Sequence, residues 1–495
     1  MQQAPRTRLS LRTRRTRRTR RTRPTRPTPA AARAPCYALW MDSPLASPTA
    51  SPTASPTASP HSPPTRSPPA GRAAWRWLPA ALLFLVLCTA SIRLLFRAHR
   101  QGVLWDPVSP VLYHAATLGF NYFEFGAVRR GLGGSIVHLL HPDLLRGTMI
   151  FHVLSAATFA AAVAVLWHRL ETTPLKRLGY ALVAVAIMLR WAEDAGRTDL
   201  AVAALLAWGT VALQRDRLDW AAAAVCVGLF VHESSFIFGL PLLAGFVVSR
   251  GGLRAFERGT VQRAAALTVL TTLLYAGMGL LPQAGRGFMV EAVRAKLPLH
   301  EFTDWAIYFA LSGSRGVMTS LCQNRTDPSY WTHPFSGAVV LLVAGAALAR
   351  RGHPGWRAML LVALPPFAFL CIVANDTARW TMLAALNLWL LGAAQRSVAG
   401  DAARSDWRAP GAWLALGAAL AFQPLSDAAS RRVDFPLFAG SPLIEQLLHR
   451  AGVPPTPGFW EVLKRCDPAW RSVLDDAPAA TPAPPTGLPK PRPER

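Results

Sequence analysis

DLAVAALLAWGTVALQRDRLDWAAAAVCVGLFVHESSFIFGLPLLAGFVVSR, residues 199–250, sets the architecture of this chain. Three apolar runs, 200–213, 220–231 and 235–249, are separated by the charged QRDRLD and by HESS. Apolar runs bounded by charges are the mark of helices that cross or sink into a bilayer. The same pattern recurs at 78–96, 149–167, 178–190, 264–281, 336–349, 358–374, 380–394 and 411–422. Several runs are shorter than the roughly 20 residues of a full span, so the expectation is an all-α polytopic transmembrane bundle of about 9–11 helices.

Composition agrees. Of 495 residues 51% are hydrophobic and 16% charged, against roughly a quarter charged in an average soluble protein, which argues against an ordinary cytosolic enzyme. Six singly scattered cysteines with no CxxC exclude a zinc module or a disulfide scaffold. The net charge of +26 is uneven, because residues 1–76 carry 15 arginines and one acid, Asp42. Two short-period repeats lie there, RTRRTRRTRRTR and SPTASPTASPTASP, with almost no large apolar residues to offset chain entropy. The expected organisation is a disordered tail (1–74), a transmembrane domain (75–424), an outer-face segment (425–475) and a disordered Pro/Ala-rich end (476–495). The arginine repeat suits nucleic acid or anionic lipid head groups or is plain low-complexity sequence, and no specific nucleic acid is expected as a partner.

With Arg72 and Arg76 in the cytoplasm, the inner connections 169–177, 214–219, 250–263, 350–357 and 395–410 carry 15 Lys and Arg. The short outer connections carry Arg190, Arg197 and Arg379. The positive-inside rule then predicts a cytoplasmic N-terminus and an outer C-terminus. It also puts the polar clusters on one side, in the long first outer loop 97–148, in WAEDAGRTD at 191–199, HESS at 232–235, the 282–335 loop and NDTAR at 375–379. If 220–231 and 235–249 form a hairpin of short helices, each about 18–23 Å long, His232 and Glu233 sit in a recess below the outer surface.

Each cluster has a chemical reading and a structural one. In NYFEFGAVRRGLGG, residues 121–134, Arg129 and Arg130 can grip a phosphate beside backbone NH groups of Gly131, Gly133 and Gly134, or can snorkel to lipid head groups. In the 191–199 turn, Arg197 lies four residues from Glu193 and three from Asp194, so either acid can pair with it, leaving Asp199 as a pocket acid or a helix cap. A recessed carboxylate, Asp194 or Glu233, can act as a base or bind a divalent metal, with His232 beside it. The structural alternative for Glu233 is an ion pair with Arg197 or Arg379. Arg379 can hold a lipid phosphate or pair with Asp376. Cys322 and Cys466 both fall outside in this topology, where an oxidising compartment permits a bridge.

NYFEFGAVRRGLGG, DAGRTD, the HE pair and NDTARW together resemble a group of bacterial multi-pass membrane proteins over about residues 75–424. Their layout is similar to that of the GT-C superfamily of membrane glycosyltransferases. The resemblance implies an inner-membrane enzyme that transfers a sugar from a polyprenyl-phosphate carrier on the outer face. Asp194 and Glu233 would be alternative bases or metal ligands, and Arg129, Arg130, Arg197 and Arg379 would hold the donor phosphate. Glu124, Glu193, Asp199, His232 and Asp376 would complete the pocket, and membrane lipids would surround the chain. It departs from the superfamily in lacking a paired-acid motif in the first loop, where Asp106 and Glu124 stand well apart. A transporter or flippase, and a non-catalytic membrane scaffold, are the alternative functions.

Overall fold

The chain is described by a computed structural model over residues 70–100, 110–170, 174–193, 195–297, 301–311 and 377–394. Short pieces at 317–319, 321–322, 325, 367–370, 450 and 464–468 complete it. All belong to the unit 68–495. Residues 1–69 of the expected tail, the runs 336–349 and 411–422, most of 358–374 and of 425–475, and the end 476–495 lie outside the described residues. So do Asp194 and Asp376.

The described residues are helical, with one isolated antiparallel bridge between Gly126 and Gln283. In chain order the helices are α1 (Ala70–Arg100), α2 (Pro110–Leu118), α3 (Tyr122–Phe125), α4 (Gly131–Leu140), α5 (Leu144–His168), α6 (Pro174–Glu193) and α7 (Asp199–Leu213). They continue with α8 (Leu218–Val231), α9 (Ser234–Ser249), α10 (Arg258–Gly277), α11 (Arg286–Arg294), α12 (Glu301–Leu311) and α13 (Thr377–Ala394). Local chemistry sets several boundaries. Asn121 and Asp143 cap α3 and α5 by accepting hydrogen bonds from the NH groups of Glu124 and Arg146, both at 2.9 Å.

Two helices are long and apolar enough to cross a membrane: α5, and α10 together with the 3-10 turn that follows it to Leu280. The helices α7, α8 and α9 are apolar but shorter, so the expected 9–11 spans are matched by length in two.

The helices form two packed layers. In the first, α1, α5 to α10 and α13 enclose Leu87, Phe159, Ile187, Trp191, Phe246 and Trp389. Small residues let the backbones approach, with Ala221 of α8 lying directly against Gly209 of α7. In the second layer, α2 and α4 pack with α11 and α12 around Leu112, Phe120, Phe125, Val290 and Trp305. The described parts of the two loops that read as separate in the sequence, α2 to α4 and α11 to α12, therefore form one helical cap. It is stitched further by the Ala284 NH donating to the Phe125 carbonyl at 3.0 Å.

The glycines of GLGG form the first turn of α4 rather than a loop. A Cβ on Gly134 would stand 1.9 Å from the Phe120 carbonyl oxygen, and one on Gly131 2.3 Å from the Tyr122 ring. Their role here is close packing, a different use from the phosphate cradle the sequence admits.

Candidate functional site

Five helix ends meet beneath the cap: the starts of α4, α7, α9 and α13 and the finish of α8, with the last turn of α10 alongside. The turn before α7 is held in place first. Gly196 has φ +92, a conformation glycine adopts freely, and any Cβ there would press on Thr148 at 2.8 Å and His114 at 3.1 Å. Its NH donates to Nδ1 of the buried His152 at 3.2 Å. Asp199 follows as the first residue of α7, where the positive end of the helix dipole favours a carboxylate.

Asp199 is fully buried. Arg379, from the start of α13, contacts both of its carboxylate oxygens, donating to Oδ1 at 2.7 Å. Arg197 approaches at 3.6 Å, and the Ser234 hydroxyl donates to Oδ1 at 3.4 Å. The expected pattern had Asp199 left over from local pairing within its own turn. The structure makes it the acid on which two arginines converge, because the α13 terminus, distant in sequence, arrives directly above the α7 terminus.

The α8–α9 hairpin is tight. Ser235 donates to the Val225 carbonyl at 2.9 Å, over Gly228, where a Cβ would lie 2.2 Å from the Ser235 hydroxyl. His232 is buried in this turn, its Nδ1 accepting from the Ser234 NH at 3.1 Å, while Arg379 Nη2 lies 2.9 Å from Nε2. Glu233 points the other way. Its Oε2 accepts from Nε of Arg130 and its Oε1 from the Tyr275 hydroxyl. The arginine partner expected for Glu233 was Arg197 or Arg379; the structure supplies Arg130, because α4 of the cap reaches the hairpin first.

The site therefore has two halves joined at His232. Side-chain exposure separates them: 0% for Asp199, 9% for Arg197 and 12% for Arg379, against 29% for Glu233 and 40% for Arg130. Arg130 holds its place with φ +59, a left-handed conformation unusual for a residue with a Cβ. Arg129 beside it is exposed, and among the described residues no acid pairs with it.

Six of the residues singled out in the sequence thus come together: Arg130, Arg197, Asp199, His232, Glu233 and Arg379. Glu124 does not join them. It pairs with Lys296 at the end of α11, whose Nζ donates to Oε1 at 2.6 Å, and it accepts from the Asn121 amide at 2.8 Å. Burial pushes the Glu124 carboxyl up, but the Lys296 and Asn121 hydrogen bonds and the Lys296 charge outweigh it and hold the group below its ordinary value. The backbone of Glu193 ends α6, and Asp194 and Asp376 lie outside the described residues.

Tyr275 and Lys296 were not singled out in the sequence. Tyr275 carried a signal, the one aromatic hydroxyl in the LTVLTTLLYAG of α10, whereas Lys296 carried none, since its acid lies 172 residues away.

A divalent metal does not fit the site as described. Among the described residues no three of His, Cys, Asp and Glu gather, and the carboxylates of Asp199 and Glu233 already engage guanidinium groups. In the cap, Cys322 and Cys466 form a disulfide, and Tyr308 and Thr319 both donate to the adjoining buried Asp467.

Comparison with protein-family models, with curated proteins and with solved structures finds no match.

Proposed function

We propose that the chain is a multi-pass membrane protein of GT-C-like layout that transfers a sugar from a polyprenyl-phosphate carrier to an acceptor at the outer face of a bacterial inner membrane. The observation that carries this reading is the solvent-reaching half of the site. There an arginine pair, Arg129 and Arg130, adjoins a carboxylate, Glu233, at the end of an apolar helix bundle.

The setting supports a bilayer. Leu270, Leu273 and Leu274 of α10 and Leu82 and Leu85 of α1 are each more than half exposed, an apolar belt that lipid would cover. The end of α5 at 169–170 and the connections 214–217 and 250–257 lie at the end away from the site and carry basic residues of the kind expected on the cytoplasmic side. The Cys322–Cys466 bridge favours an oxidising compartment for the cap.

In this reading the arginines divide their work. Arg197 and Arg379 fix Asp199 and with it the floor of the site. Arg129 and Arg130 take the donor phosphate by charge-assisted hydrogen bonds. As Arg130 turns to the phosphate, its hold on Glu233 Oε2 loosens and the carboxylate becomes a stronger base. Glu233 then accepts the acceptor's hydroxyl proton as that oxygen bonds to the anomeric carbon. The bond from that carbon to the phosphate oxygen breaks, and its electron pair leaves on the phosphate, where the arginines stabilise the developing charge.

The test is binding of polyprenyl monophosphate to the protein in lipid nanodiscs. Arg129→Ala and Arg130→Ala are each expected to weaken it at least tenfold, about 1.4 kcal/mol. Equal affinity in parent and variants would overturn the reading.

A second reading has its own observation. Asp199 is wholly enclosed by Arg197, Arg379 and Ser234, which is the geometry of an internal fastening. The buried half of the network alone is what a non-catalytic membrane scaffold requires.

A further inference from the structure

The hydroxyl of Tyr275, in the last turn of α10, donates to Glu233 Oε1 at 2.5 Å. The Tyr275 ring is fixed in turn, standing edge-on to Phe230 of α8 with ring centres 6.0 Å apart. Met278, one turn further along, is buried, so the end of α10 is anchored where the hydroxyl is delivered. The two Glu233 oxygens are thus held by different layers: Oε2 by Arg130 of the cap, Oε1 by Tyr275 of the bundle.

We propose that Tyr275 is a positioning residue for Glu233, keeping Oε1 fixed on the bundle side while Oε2 is the oxygen that exchanges Arg130 for the incoming hydroxyl. The proposal rests on the transferase reading for its purpose and on geometry for its substance. A carboxylate released by Arg130 with no second tether would rotate about its terminal torsion, which is soft and broad. A tyrosine hydroxyl suits the tether because its ring is rigid and its proton stays on oxygen at neutral pH, so it donates without competing as a base. Phenylalanine keeps the ring packing on Phe230 and removes only the hydrogen bond.

The experiment is infrared spectroscopy of the full chain in nanodiscs, with the Glu233 carboxyl band assigned by its loss in Glu233→Gln. Tyr275→Phe is expected to move the protonation midpoint of that band upward by about one pH unit, since a donor to the charged form has gone. The thermal midpoint should change little. An unmoved band would overturn the proposal, because a purely structural tyrosine changes stability and leaves the carboxyl band where it was. Should Tyr275→Phe fail to fold, 3-fluorotyrosine at the same position keeps the ring and strengthens the donor. A downward shift then supports the tether, and no shift overturns it. Adding polyprenyl monophosphate separates the two claims. If the parent's band ignores the lipid while Tyr275→Phe still shifts it, the transferase reading fails and the tether stands. If the band responds to the lipid and Tyr275→Phe leaves it unmoved, the tether alone fails.

Discussion

Arg379 and Asp199, 180 residues apart in sequence, meet through both carboxylate oxygens at a point where Asp199 has no solvent exposure. A buried pair of this kind gives little net stability when complete and costs a great deal when halved. Arg379→Ala or Asp199→Ala should therefore each destabilise the protein by about 3–5 kcal/mol, read from chemical unfolding in detergent. The double variant Asp199→Leu/Arg379→Leu should recover part of that loss, since it leaves neither member of the pair charged. Single variants as stable as the parent would mean that the pair does not join α7 to α13.

Glu124 supplies the pH dependence. Its carboxyl is held below the ordinary glutamate value by Lys296 and Asn121, so its contribution to stability is complete above the unfolded-state value and disappears as pH falls through the lower folded-state value. The thermal midpoint of the parent should drop as the pH is lowered below about 4.5, and Glu124→Gln should flatten part of that drop. An identical acid limb in both proteins would contradict the assignment.

Gly134 tests the close approach of α4 to the chain entering α3. Gly134→Ala forces a Cβ to within 1.9 Å of the Phe120 carbonyl oxygen and should cost about 1–3 kcal/mol, visible as a lower unfolding midpoint. Gly277→Ala, at the end of α10 where a Cβ meets nothing within 4 Å, is the neutral control.

The Cys322–Cys466 bridge closes a separation of 144 residues. Thiol labelling under denaturing conditions, read residue by residue by peptide mass mapping, should modify Cys88 and Cys226 without a reductant, and Cys322 and Cys466 only after reduction. Cys322→Ser/Cys466→Ser should destabilise by about 2–5 kcal/mol. Labelling of Cys322 and Cys466 without reductant would remove the bridge as an argument for the cap's compartment.

The helices of the bundle were legible because apolar runs bounded by charges state their own limits. Runs read at 200–213, 220–231 and 235–249 became Asp199–Leu213, Leu218–Val231 and Ser234–Ser249. The polar residues of the site were legible for a related reason: Glu233 and His232 interrupt an apolar stretch, where charge demands a partner. Which partner each would take was not legible. Local spacing favoured pairs three or four residues apart, whereas the structure joins Arg130 to Glu233 and Arg379 to Asp199 across more than a hundred residues. Cap formation was hidden likewise, since α2 and α4 share an apolar core with α11 and α12, more than a hundred residues further along the chain. Asp194, one of the two bases considered, falls outside the described residues.

The most direct measurement is mass spectrometry of the lipids that accompany the protein when it is extracted from its native membrane. The account predicts that the parent carries a polyprenyl-phosphate-linked sugar, that Arg130→Ala loses it, and that Glu233→Gln retains or accumulates it because the donor binds and is not consumed. If no such lipid is enriched with the parent, and Arg130→Ala and Glu233→Gln differ from it only in melting at lower temperature, the Arg130–Glu233 pair is a fastening between cap and bundle and the transferase reading is wrong.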